Sequence, residues 1–388
     1  MKKRWIALTI GVVAVAAGAG LYRGHRLPPL PPPLTIHSGG RVEKLTLSPD
    51  GRLLADDTPS GQVLLYDTGT GQQKYAFAVR TDRMVFSPDG RRLLTENMRA
   101  SSTNPNGNVQ VWDTVTGAQL SRFVFPVGPG GAPDIAAVSR DLRRAVVRVG
   151  AGYTVYGVAA GNVIKALPLP SGRAQAVFSP DGGLLAVSSG VAETLQVWDT
   201  KTWRPIQATE GQISGVTGIR FSPDGAKLAL GSRAGMAWWD THSWKSQGDF
   251  ALPTPGGLSR GSFFFSSGSR SLLINQVSTT DFLHQVDCAT GRETLTEPGH
   301  MLQHVSLTGD RAETWGVPGK YQVLLYRDTY CIWDTAHKKP LYQITIPLTA
   351  NSSLMGDFQP RSTDLSADGH VFAVGGRDDG VIQVWRLP

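Results

Sequence analysis

One four-residue pattern limits what this chain can fold into more than any other feature. Ser-Pro-Asp-Gly stands at Ser48–Gly51, Ser87–Gly90, Ser179–Gly182 and Ser222–Gly225, with weaker copies at Ser139–Leu142, Ser266–Ser269, Leu307–Asp310 and Ser366–Gly369. The chemistry is that of a tight turn: Ser bonds to the backbone, Pro fixes φ, and Gly takes a left-handed or bulge position. Alternating apolar residues precede the turns, as in Val42, Leu45 and Leu47 or Val216, Ile219 and Phe221. A second apolar run follows, as in Leu184–Val187. Strand, turn and strand are therefore expected eight times. The 45 glycines and 25 prolines, without a low-complexity tract, agree with many short strands.

About 20 residues beyond each turn an aromatic–Asp pair ends a third strand. The copies are Tyr66-Asp67, Trp112-Asp113, Trp198-Asp199, Trp239-Asp240 and Trp333-Asp334, each followed by Thr. Degenerate copies are Tyr156-Gly157, Val286-Asp287 and Trp385-Arg386. A second turn follows, often Thr-Gly (Thr70-Gly71, Thr116-Gly117, Thr290-Gly291), and then a fourth short strand. From residue 35 onward the eight units average about 44 residues. A period in the low forties, four strands and a Trp-Asp ending resemble the WD-repeat β-propeller family over roughly nine-tenths of the chain. The resemblance implies an all-β fold, an eight-bladed β-propeller of four-stranded antiparallel blades over 34–388, with seven blades as the alternative count. Asp67, Trp112, Asp113, Trp198, Asp199, Trp239, Asp240, Trp333, Asp334 and Trp385 are its structural hallmarks.

The eighth unit stops at Pro388, just after its third strand. Leu34–His37 is placed to supply the fourth strand, closing the ring and removing an open sheet edge. The sequence departs from the family in its polar network: Gly299-His300 is the only clear Gly-His, and Arg233 and Ala192 stand where an Asp is usual. Apolar packing is therefore expected to hold the blades.

Residues 1–26 read as a basic stub and a membrane anchor. Met1-Lys-Lys-Arg4 precedes an uncharged stretch from Trp5 to Tyr22, long enough for a helix of roughly 27 Å. Charge at the start places the N-terminus in the cytoplasm and the propeller outside it, on a single-pass anchor in the cytoplasmic membrane. A cleavable signal peptide, giving a secreted or periplasmic protein, is the alternative, because Ala14–Ala16 and Ala17–Ala19 fit small-residue cleavage sites. Residues 27–33, Leu-Pro-Pro-Leu-Pro-Pro-Pro, form a proline-rich linker of polyproline type.

The formal charge of +7 suggests a nucleic-acid binder, but five basic residues and no acid precede residue 30. Without them 33 basic residues face 31 acidic ones, so no nucleic-acid partner is expected. No phosphate-binding glycine loop, nucleophile elbow or paired-Cys motif occurs, and neither a cofactor nor catalysis is expected. His300 and His304 have helical metal-ligand spacing, yet the repeat puts the first in the Gly-His slot and the second in a strand. Cys288 and Cys331 are read as separate buried thiols. Asp67–Gly71, Asp113–Gly117 and Asp287–Gly291 also resemble blades of quinoprotein dehydrogenases, and Trp203 and Trp244 echo the blade-docking tryptophans of that family. The adjacent cysteine pair and calcium-binding acids of those enzymes are missing. A small-ligand or enzymatic propeller using its central channel is therefore the alternative to a protein-interaction scaffold.

Connection lengths point to the working face. First–second and third–fourth turns are uniformly tight and share one face, whereas long connections gather on the other, at 97–107, 126–133, 253–260, 275–281 and 347–363. Irregular loops on a rigid scaffold carry binding residues. Asn104, Asn106, Arg260, Phe358 and Arg361 are the candidate contacts to a protein partner of a monomeric propeller.

Overall fold

A computed structural model describes residues 30–97, 107–125, 134–149, 152–168, 174–189, 194–209, 215–232, 235–252, 258–276, 282–298, 300–305, 311–316, 327–334, 337, 339–347, 362–376 and 380–388. These residues form eight four-stranded antiparallel sheets, the architecture of a β-propeller. The first sheet runs Lys44–Leu47, Leu53–Thr58, Gln62–Asp67 and Gln73–Phe77, and the second Arg83–Phe86, Arg92–Asn97, Gly107–Asp113 and Gln119–Phe125. Five further sheets follow in chain order through Pro347. The last is composite: Ser362–Leu365, Val371–Gly375 and Val381–Arg386 are completed by Leu34–His37, which pairs antiparallel with the third strand, Leu34 opposite Val384 and His37 opposite Val381.

Local chemistry explains the regularity of the hairpins. Ser48 Oγ donates to Asp50 Oδ1 at 2.7 Å and accepts the Leu53 N–H at 2.9 Å, so one hydroxyl satisfies both ends of the turn. The same pair of bonds recurs from Ser87, Ser139, Ser179, Ser222 and Ser366. In the two imperfect copies Leu142 (φ 56°) and Ser269 (φ 58°) occupy the left-handed glycine position. Burial of Leu142 against Ile135 and Val147 offsets that backbone cost. The Thr after the aromatic–Asp pair in the first, second, fourth and fifth sheets then ties the second turn to the first: Thr114 Oγ1 donates to Gly90 O at 2.7 Å and Thr241 Oγ1 to Gly225 O at 2.7 Å. Both tight turns of a sheet therefore share one face.

The core lies between sheets, because each strand alternates its apolar side chains toward the two neighbours. Leu65 and Phe77 of the first sheet meet Leu93 and Trp112 of the second. Leu45, Leu54 and Tyr66 of the first meet Ile36, Ile382 and Val384 of the composite sheet. The polar network is fuller than the sequence led us to expect in one place: Trp112 Nε1 donates to the buried Thr95 Oγ1 at 3.1 Å. At the matching position in the fourth sheet Val187 stands opposite Gln196 and offers no acceptor, and Trp198 Nε1 has no partner. In the first sheet Asp56 takes the Thr place beside Tyr66 and is fully buried.

Trp203 and Trp244 have an architectural explanation. Both occupy the turn position that Gly71, Gly117 and Gly161 fill elsewhere, at φ 54° and 55°. At Gly117 the Tyr75 ring, and at Gly161 the Phe123 ring, of the preceding sheet would overlap any Cβ. In the fourth and fifth sheets the indoles of Trp203 and Trp244 pack into the intersheet clusters instead.

The anchor expected at residues 5–22 lies outside the described residues; among these, no helix is long and apolar enough to cross a membrane. Leu30 of the proline-rich segment is half-buried against the cluster of Tyr330, Ile332, Phe372 and Trp385, so this end of the linker is docked and not a free spacer. His300 and His304 fall in one strand, His300–Val305, with a register shift between Leu302 and His304 that breaks simple alternation. Cys288 is a buried free thiol whose pKa burial pushes up to about 12. Cys331 lies in the strand Arg327–Asp334, opposite Thr314 and Gln343.

Candidate interaction site

Of the five residues expected to contact a partner, Asn104, Asn106, Phe358 and Arg361 lie outside the described residues. Arg260 falls inside the strand Leu258–Phe265, where pairing shifts between Leu258 and Phe263. The connection read as reaching Arg260 thus ends by residue 257, because the polar Ser259-Arg260-Gly261-Ser262 run masks an irregular strand.

Between the first two sheets runs a cleft of about 480 Å³, from Asn97 and Asn108 at the long-loop end to Gly117 and Gln119 at the tight-turn end. One wall is the second sheet. Asn97 and Asn108 sit opposite each other at the ends of the second and third strands, the two residues from which the 98–106 connection departs. Asn108, Gln110 and Trp112 follow at every second position of one strand and so share a side. Gln110 Nε2 donates to Asn108 Oδ1 at 3.2 Å, and both side chains are buried. The other wall is Phe77, Ala78, Val79 and Arg80, where the chain leaves the first sheet. Phe77 stacks on Trp112 with centroids 4.6 Å apart and makes an apolar floor. Arg80 and Arg122 are exposed at the rim, and among the described residues no carboxylate lines the cleft.

The inner ends of the same two sheets carry charge in register. Lys44 opposes Asp57 and Arg83 opposes Glu96 across their strand pairs. Arg83 Nη1 lies 4.0 Å from Glu96 Oε2, and Lys44 Nζ donates to Asp82 O at 2.7 Å. Burial pushes the Asp57 carboxyl up to about 6, against the pull of Lys44 and, more weakly, Arg80, with Glu43 and Asp82 adding to the rise. Burial likewise raises Asp56 to about 7, opposed by the Ser38 hydroxyl and reinforced by Asp57. Among the described residues no group of three His, Cys, Asp or Glu is placed to hold a metal ion.

The tight-turn face has the opposite character. The hallmark aspartates are spent on backbone: Asp199 Oδ1 accepts the Thr202 and Lys201 N–H groups at 2.7 and 2.9 Å, and Asp113 those of Thr116 and Val115 at 2.8 Å each. These bonds hold both carboxyls below the usual carboxylate range. Trp239 and Trp385 are buried, Asp240 and Asp334 cap the same kind of turn, and Trp333 lies in the strand Arg327–Asp334. From sequence, candidate contacts were sought in the long connections, and none was placed at the cleft residues. Their signal was present: polar residues two and four positions before Trp112 share its core-facing side.

No family model matches the chain. Stretches of it are similar to WD-repeat proteins. It is 34% identical to WD repeat-containing protein VIP3 of Arabidopsis thaliana over 82 residues, 21% of the chain and 26% of that protein. It is 24% identical to actin-interacting protein 1 of Caenorhabditis elegans over 189 residues, 45% of the chain and 30% of that protein. With pre-mRNA-processing factor 19 of Oryza sativa subsp. japonica it shares 32% identity over 92 residues, 23% of the chain and 17% of that protein. The matched stretches thus span less than a third of each relative's length.

Proposed function

We propose that this WD-repeat-like chain is a non-catalytic protein-interaction scaffold that presents one face of a closed eight-bladed propeller to its partner. The carrying observation is the contrast between the hairpin turns and the groove beside them. Ser, Asp and Thr side chains of the turns are consumed by local hydrogen bonds. The groove between the first two sheets, which runs from Asn97 and Asn108 toward Gly117, carries the exposed Arg80 and Arg122 at its rim over buried Asn108, Gln110, Phe77 and Trp112. Similarity to WD-repeat proteins supports the reading. We place the scaffold as a monomer outside the cytoplasm, tethered by residues 5–22.

Cross-linking in native membranes tests the scaffold. One variant carries alanine at Asn104, Asn106, Arg260, Phe358 and Arg361, and a control carries substitutions at the exposed turn residues Val115, Lys201 and His242. Loss of the cross-linked species in the first variant alone is expected. Equal cross-linking in both, with intact folding, overturns the reading.

A further inference from the structure

We infer that the cleft between the first two sheets takes an extended peptide segment in which a carboxylate side chain stands beside an apolar one. This rests on the scaffold reading and names the chemistry its partner presents.

Three observations converge. Asn108 and Gln110 recur at every second position of a strand, about 6.6 Å apart. That is the repeat at which an extended peptide presents equivalent backbone groups. A carboxamide both donates and accepts, so it pairs with a peptide group in either direction. Arg80 and Arg122 are exposed at the rim; among the described residues no acid lines the cleft and Arg122 pairs with no carboxylate, while Arg80 acts at longer range on Asp57. A guanidinium fork matches a carboxylate with two parallel bonds. Between these groups Phe77, Val79 and Trp112 form the apolar floor, which an aliphatic side chain would cover. The volume, about 480 Å³, lies within the range of small-ligand sites.

The surroundings limit how much negative charge the ligand brings. Asp57, Asp82 and Glu96 lie on the same two sheets and their junction. They repel a polyanion such as a nucleic acid and tolerate one or two charges balanced by the two arginines.

The full chain, purified in detergent, is titrated into fluorescein-labelled octapeptide libraries with a fixed Leu-Glu pair and read by anisotropy. Parallel libraries carry Leu-Gln or Leu-phosphoserine, and free glutarate is the competitor. Saturable binding of the Leu-Glu library is expected, weakened about tenfold or more by Glu→Gln in the peptide and by Arg80→Gln with Arg122→Gln in the protein. Both arginines are exposed, so an unchanged thermal midpoint certifies the variant's fold. No saturable binding, binding indifferent to both arginines, stronger binding of the phosphoserine library, or full displacement by glutarate at equal concentration overturns the assignment. If the peptides fail while the five-residue variant still loses its cross-links, the cleft assignment falls and the scaffold stands. If the peptides bind and the cross-links are indifferent, the scaffold falls.

Discussion

Asp364 Oδ2 accepts the backbone N–H of Leu47 at 2.7 Å, joining residues 317 positions apart in the chain. The same oxygen accepts the Thr46 hydroxyl at 3.1 Å, and Ser362 Oγ accepts the Leu45 N–H at 2.8 Å. Side chains of the last sheet's first strand thus satisfy the free edge of the first sheet's first strand. Apolar packing and the Leu34–His37 strand close the seam farther out. Unpaired N–H groups at this edge would otherwise be stranded.

Asp364→Ala is expected to lower stability by about 1–3 kcal/mol, because the Leu47 N–H then lacks an acceptor in a half-buried site. Asp364→Asn retains one carbonyl oxygen and loses less. Urea unfolding of the two variants measures the order; equal losses would show that the bond contributes nothing.

Trp112→Phe is expected to cost about 1 kcal/mol more than Trp198→Phe. Both lose similar buried volume, but only Trp112 gives up a hydrogen bond, to Thr95, whereas Trp198 Nε1 has no partner. Paired denaturation midpoints read the difference, and Thr95→Val should reproduce it.

Stability should fall as pH rises from about 4 through about 7. The folded chain keeps on Asp56 (pKa raised to about 7) and Asp57 (to about 6) protons that an unfolded chain, with ordinary values near 3.8, has already released. The stabilisation is therefore complete below pH 4 and lost above pH 7, on the order of a few kcal/mol at most. Asp56→Asn should flatten this slope. Denaturation midpoints at pH 5 and pH 8 decide it, and a wild-type slope unchanged in the variant refutes the role of Asp56.

Gly161→Ala should destabilise more than Gly182→Ala. Both glycines have positive φ, worth roughly 1–2 kcal/mol against Ala, but only at Gly161 does a new Cβ overlap an aromatic ring, that of Phe123. Adding Phe123→Leu should recover part of the excess in Gly161→Ala and none of the cost in Gly182→Ala, as read by thermal unfolding of the double variants.

The sequence by itself determined the elements. Ser-Pro-Asp-Gly and aromatic–Asp-Thr act within a dozen residues, through turn hydrogen bonds and φ preferences, so strand order and turn face were legible from Ser48, Thr68 or Asp113 alone. Only the tertiary structure decided what meets between strands and between sheets. Whether Trp112 finds Thr95 on the neighbouring strand, whether Asp56 is stripped of water, and whether Asn108 and Gln110 face a cleft all depend on which neighbour packs against a strand. The irregular start of Leu258–Phe265 follows the same logic: Arg260 falls between the paired Leu258 and Phe263, a placement that the local polar run does not reveal. Turn chemistry is local and repeats; burial and charge environment are set by contacts between units, which the repeat cannot encode.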